Sequence, residues 1–285
     1  MLALKGHGTE NDFVLLPDLD GALELTPALV RALCDRHAGV GADGVLRVVR
    51  SENDAEGKEF AGDAEFFMDY RNADGSVAEM CGNGVRVFMR YLNRVGLVGE
   101  EAAVATRGGI VRVRTRPDGE ISVRMGSPLV LPDRPLVTAA PVQRRACLGA
   151  VRIPNPHVVV RVDAAELNDL DLSRPPVVSA PLPDGQNVEF VAIEAPRHLR
   201  MRVHERGVGE TRSCGTGICA AVVAVASADG CGPSDQTWRV DVPGGTCHVV
   251  WRPDRGVELI GPALVVAEIE LDEGWLSAAE NREKS

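Results

Sequence analysis

Apolar positions along the chain change period in a way that separates helices from strands. Residues 85–92 form an amphipathic run, and residues 218–228 are small and nearly all apolar. Each predicts a helix, the second buried on every side. Thr26 as cap and Pro27 at the first helical position predict a further helix running to about His37. Residues 64–70, 102–115, 157–162, 187–193 and 198–204 predict strands from their Val, Ile and Phe content. The polar residues 280–285 are expected to fray.

The two central helical runs share a plan. Cys81-Gly82-Asn83-Gly84 launches the first and Cys214-Gly215-Thr216-Gly217 the second. Asn72 and Glu205 each stand nine residues before their cysteine. Downstream, Val-rich strands fold at Arg116-Pro117-Asp118-Gly119 and at Arg252-Pro253-Asp254-Arg255-Gly256, with Pro and Asp where type I turns favour them. The offset is 133 residues between the cysteines and 136 between the turns, so the features recur in register. Two unrelated strand–helix–hairpin modules are the alternative to a duplication. The duplication predicts an α+β fold of two pseudo-symmetric domains, each a mostly antiparallel β-sheet or barrel wrapped around a central helix. Glycine–proline joints at Gly126-Ser127-Pro128 and Gly261-Pro262-Ala263 set the expected domains. These are residues 1–127 with Cys81, residues 128–261 with Cys214, and residues 262–285 returning to the first.

Composition narrows the function. The net charge is −10 with no basic block, which argues against a nucleic-acid or anionic-membrane surface. No segment reads as a signal peptide or a bilayer span, so a cytoplasmic location is expected. Seven cysteines, irregularly spaced and without a Cys-x-x-Cys pair, fit neither a disulfide framework nor a metal site. Lysine occurs only as Lys5, Lys58 and Lys284. None is well placed for a pyridoxal phosphate Schiff base, and phosphate-cradling glycine motifs are missing, so no cofactor is expected.

A cysteine heading a helix faces unpaired N–H groups and the positive end of the dipole. Such placement can lower a thiol pKa to roughly 3.5–7.5, and the same N–H groups bind a carboxylate. Two such starts can hold an amino-acid carboxylate with a sulfur on each face of its α-carbon. One sulfur removes the α-proton and the other returns a proton from the opposite side, so the pair must share one proton. Cys34, Cys147, Cys219, Cys231 and Cys247 read instead as ordinary structural cysteines.

These motifs resemble the diaminopimelate epimerase family. The resemblance rests on Asn72-Ala73-Asp74-Gly75-Ser76 through Cys81-Gly82-Asn83-Gly84 and on Glu205-Arg206-Gly207-Val208-Gly209-Glu210-Thr211 through Cys214-Gly215-Thr216-Gly217. Further matches are Gly8-Thr9-Glu10-Asn11-Asp12-Phe13-Val14, residues 35–44, Asn155-Pro156-His157 and Asn187-Val188, in family order over nearly the whole chain. It implies cofactor-independent interconversion of LL- and meso-2,6-diaminopimelate in lysine and peptidoglycan-precursor synthesis, by a homodimer. Cys81 and Cys214 are then the proton donor and acceptor. Asn11, Gly82, Asn83, Gly215 and Thr216 contact substrate, Asn72, Asn155, Asn187, Glu205 and Arg206 hold the rest of it, and His157 and Glu205 tune the thiols. A zwitterion with two carboxylates and two ammonium groups suits that set. Arg206 can grip the distal carboxylate by two parallel hydrogen bonds, while asparagines donate and accept without adding charge. At Gly44 the chain departs from the family, which often has a ligand-contacting glutamine there. A proline-racemase-like enzyme and a thiol redox switch are the alternatives, and a metal-binding module is disfavoured.

Overall fold

Thr26 ends its loop in extended backbone and its hydroxyl accepts from the Leu29 N–H, while Pro27 brings a pre-set φ. These two residues start α1 (Pro27–Cys34). It ends three residues before His37 because the Asp35 carboxylate takes the His37 and Ala38 N–H groups into a turn. The structure, a computed structural model, describes residues 1–254 and 256–281. It divides into two compact units, Met1–Val123 with Pro262–Ser285, and Arg124–Gly261.

In the first unit the strands are β1 (Leu2–Gly8), β2 (Asn11–Pro17), β3 (Gly44–Arg50), β4 (Phe66–Asn72), β5 (Glu101–Thr106) and β6 (Gly109–Thr115), followed by β7 (Ile121–Gly126), which begins in this unit and spans the division at Val123. Between β4 and β5 runs α2 (Gly82–Arg94), which packs against β1, β2, β3, β4 and β6. The predicted strand 102–115 is therefore a hairpin, broken where Thr106 pairs with Gly109. In β6 burial alternates, with Val111 and Val113 facing inward, as expected of a strand with one face on a core. Arg86 and Arg90 of α2 donate to the carbonyls of Pro262 and Ala263, 3.3 and 3.0 Å away. The following strand, Leu264–Glu270, pairs antiparallel with β1 of the same unit. The helix Glu273–Asn281 takes in the start of the polar tail, and the rest of that tail lies outside the described residues.

The second unit contains β8 (Leu129–Leu131), β9 (Leu136–Ala139), β10 (Val142–Ala146), β11 (Gly149–Ile153), β12 (Asn155–Arg161), α3 (Ala164–Asp169) and β13 (Val177–Ser179). It continues through β14 (Asn187–Ala195), β15 (His198–Glu205), β16 (Gly209–Thr211), α4 (Gly215–Ala228), β17 (Thr237–Val242), β18 (Gly245–Arg252) and β19 (Gly256–Gly261). Strands β9, β10 and β13 form a small separate sheet that the sequence analysis did not anticipate. From Ile218 to Ala226 every residue of α4 is buried, which explains its unbroken apolar run.

Pairing establishes the duplication. Along β1, β2, β3, β4, β5, β6 and β7 successive pairs are antiparallel, parallel, antiparallel, parallel, antiparallel and antiparallel. The last of these joins β6 to β7. The same series recurs along β11, β12, β14, β15, β17, β18 and β19. In each unit the cysteine helix is the crossover between two parallel strands, β4 to β5 or β15 to β17. A long connection of this kind is what parallel pairing demands.

Candidate active site

In the first unit Cys81 is the cap of α2, in extended backbone with φ −140° and ψ 118°. Its sulfur accepts from the Gly84 N–H at 3.4 Å and lies 3.7 Å from Asn11 Oδ1. The Asn11 oxygen also receives the Asn83 amide at 3.1 Å, and its own amide donates to Asp43 at 2.7 Å. Behind Asn11 stands an ion cluster, with Asp12 held by Lys5 and Arg36, and Arg36 reaching Asp43. Burial alone would raise the Asp12 carboxyl, but the two cations outweigh it and hold it down at about 2. Burial leads in raising Asp43. Asn72, the last residue of β4, stabilises its own turn: its amide donates to Ser76 Oγ at 3.0 Å, and Gly75 has φ +89°. Gly82 and Asn83 are buried in the first turn of α2. The unexpected residue at position 44 is explained by packing, since a Cβ there would sit 2.5 Å from the Arg71 carbonyl.

In the second unit the structure gathers Asn155, His157, Asn187, Glu205, Arg206, Cys214, Gly215 and Thr216. Cys214 caps α4 in extended backbone, as Cys81 caps α2. Its sulfur meets Thr216 Oγ1 at 3.4 Å, and the Gly217 N–H of the first turn also points to it. Glu205, at the end of β15, accepts from the Thr211 hydroxyl and from the Cys214 thiol. Burial pushes the Glu205 carboxyl up, and the charge of Glu189 adds to it. Burial also drives the Cys214 thiol well above its ordinary value, followed by the charges of Glu205 and Glu189. The lowered thiol pKa expected of a helix start is therefore corrected here, because loss of water around a thiolate outweighs the helix terminus.

His157 is fully buried, with Nδ1 2.6 Å from Glu189 Oε1 and Nε2 3.1 Å from Asn155 Oδ1. Asn187 pairs with His157 across the sheet, and its side-chain oxygen accepts from the Arg206 N–H at 2.9 Å. The Arg206 side chain is exposed and donates to the Asp184 carbonyl. Glu189 escaped the sequence analysis. Its signal was a lone carboxylate inside the apolar run of β14, a residue type almost never fully buried without a partner.

Lys5 is committed to Asp12 and the Gly41 carbonyl, which leaves it poorly placed as a Schiff-base lysine. Among the described residues no group of three His, Cys, Asp or Glu side chains could hold a metal ion. No helix among them is long and apolar enough to cross a membrane.

The family model described as diaminopimelate epimerase matches residues 3–131 and 149–266. The chain is 53% identical over 281 residues to the diaminopimelate epimerase of Streptomyces coelicolor, covering 96% of each. It is 52% identical over 273 residues to that of Thermobifida fusca, covering 93% of this chain and 95% of the relative. Among solved structures, a probable proline racemase from Agrobacterium radiobacter superposes with a TM-score of 0.66 at 15% identity, over 95% of this chain and 93% of that one. That likeness speaks for the fold alone and gives the proline-racemase alternative no support. With matched cysteine helices in a duplicated fold and a family model spanning both repeats, the chain belongs to the diaminopimelate epimerase family.

Proposed function

We propose that this chain interconverts LL- and meso-2,6-diaminopimelate, with Cys81 and Cys214 exchanging the α-proton from opposite faces of the α-carbon. The observation that carries the reading is the recurrence of one cysteine-capped helix at the same topological point of both repeats, in a chain of this family. The first-turn N–H groups at Gly82 and Asn83 and at Gly215 and Thr216 suit the reacting carboxylate, since helix starts leave such donors unpaired. Resting Cys214 carries a proton to deliver. In the reverse direction it must lose one, and Glu205, hydrogen-bonded to the thiol and raised by burial, is the acceptor at hand. Asn11, Asn72, Asn155, Asn187 and Arg206 orient the rest of the substrate, with Arg206 on the distal carboxylate. Asn72 and Arg206 would then exchange their present partners, Ser76 and the Asp184 carbonyl, for ligand.

The enzyme works without pyridoxal phosphate or metal, as a cytoplasmic homodimer that binds no nucleic acid, and serves lysine and peptidoglycan-precursor synthesis. Incubation of the reduced protein with LL-diaminopimelate should yield the meso isomer, with no pyridoxal absorbance and no loss on dialysis against a chelator. Activity toward proline with none toward diaminopimelate would sink the reading.

A further inference from the structure

The internal repeat provides its own control. Strands β2 and β3 run parallel with Phe13 opposite Gly44 and Leu15 opposite Leu46. Strands β12 and β14 run parallel with His157 opposite Asn187 and Val159 opposite Glu189. His157 therefore takes the place of Phe13, and Glu189 the place of Leu46. Both pairs lie under the first turn of the cysteine helix. A Cβ on Gly84 would sit 3.3 Å from Leu46 Cδ2 and 3.6 Å from Phe13 Cζ. A Cβ on the matching Gly217 would sit 2.6 Å from Glu189 Oε1. The scaffold is filled by an apolar pair in one copy and by a buried histidine and glutamate in the other.

Burying a polar pair where an apolar one packs gives up stability more often than it adds any. Glu189 and His157 are both fully buried, and Glu189 Oε2 has no hydrogen-bond partner among the described residues. An arrangement of that kind asks for a use beyond packing. The carboxylate is tolerable because His157 and the start of α4 face it. The titratable groups around it are His157 on β12, Glu205 on β15 and Cys214 at the head of α4.

We infer that Glu189 is a positioning residue for the proposed reaction, fixing the His157 ring between itself and Asn155 and placing negative charge beneath Cys214. Its charge is among the causes that raise the Cys214 thiol, after burial and Glu205. Leu46, in the same place of the first repeat, carries no charge. The two cysteines thus differ electrostatically in part through this pair, beside Glu205, whose place in the first repeat is held by Asn72.

The inference rests on the epimerase reading for its kinetics, and a labelling experiment tests it without substrate. Glu189→Gln keeps the shape and an oxygen acceptor but removes the charge. Full-length, reduced protein is pulsed with iodoacetamide across a pH series, and the peptides bearing Cys81 and Cys214 are quantified by mass spectrometry. Cys81 is the reference within each sample. At neutral pH the Cys214-to-Cys81 labelling ratio should rise at least about threefold in E189Q, each tenfold corresponding to one pKa unit. The alkaline limb of kcat/KM should move to lower pH, and kcat should fall at least about tenfold with KM within about twofold. The double variant H157F/E189L, which copies the first repeat, should fold and show the raised ratio too. An unchanged ratio in E189Q overturns the inference, as does a double variant that fails to fold, because the pair is then a structural need. Wild-type protein inactive on diaminopimelate would end the epimerase reading and leave the labelling result to decide Glu189.

Discussion

Gly84 and Gly217 hold equivalent places in the two repeats, yet alanine should have unequal consequences there. At Gly84 the new methyl would meet Leu46 Cδ2, Cys81 Cβ and Phe13 Cζ at 3.3, 3.5 and 3.6 Å, mostly ordinary contact with apolar atoms. The entropy gained by replacing glycine, about 0.4–1 kcal/mol, offsets slight crowding, so G84A should stay within about 1 kcal/mol of wild type. At Gly217 the methyl would lie 2.6 Å from Glu189 Oε1 and 3.3 Å from both Cδ and Cγ. The carboxylate cannot yield freely, because it is buried and bonded to His157 at 2.6 Å. Displacing it forfeits a charge-assisted hydrogen bond of roughly 1.5–3 kcal/mol and adds overpacking of about 1–3 kcal/mol. After the glycine offset, G217A should lose about 1.5–5.5 kcal/mol. Urea unfolding followed by tryptophan fluorescence suits this comparison, since Trp275 lies in the first unit with Gly84, and Trp238 and Trp251 lie on β17 and β18 of the second with Gly217. A G217A midpoint equal to or above that of G84A would refute the reasoning.

Arg206→Met should leave the fold intact, because the side chain is exposed, while raising KM for diaminopimelate about 10- to 100-fold. Steady-state kinetics check this, and an unchanged KM removes Arg206 from the site. Asp12, with its carboxyl at about 2, should stabilise the first unit fully above the unfolded value near 3.9, and lose that contribution as pH falls toward 2. Asp12→Asn should therefore lower the urea midpoint clearly at pH 6 and much less at pH 2.5; an equal drop at both would contradict the ion-cluster account. Thr26→Ala should cost about 1 kcal/mol by removing the hydroxyl that caps α1, measured in the same assay.

The cysteine helices were legible because glycine turns and apolar runs are local signals that burial then reinforced. The repeat was legible for the same reason, since matched turns at a fixed offset survive where strands do not. The N-terminal hairpin was not read. Thr9 and Glu10 both take left-handed φ, 50° and 59°, at a turn where Asn or Gly is the usual marker. The end of α1 was placed too late because Asp35 redirects the backbone through its side chain, which a period does not register. For the site, residue identity located both cysteines but not their surroundings. Glu189 sits 25 residues before Cys214 and comes near it only through the packing of α4 on β14. The raised Cys214 thiol follows from burial on all sides, a tertiary property.

The central claim is that two different sulfurs handle the proton. The most direct test is the isotopic composition of both isomers at low conversion of LL-diaminopimelate in deuterium oxide. Two bases predict meso product carrying deuterium at the inverted carbon while recovered LL substrate stays protiated. Product that keeps the protium of its substrate would mean a single group removes and returns the proton, and would contradict the account.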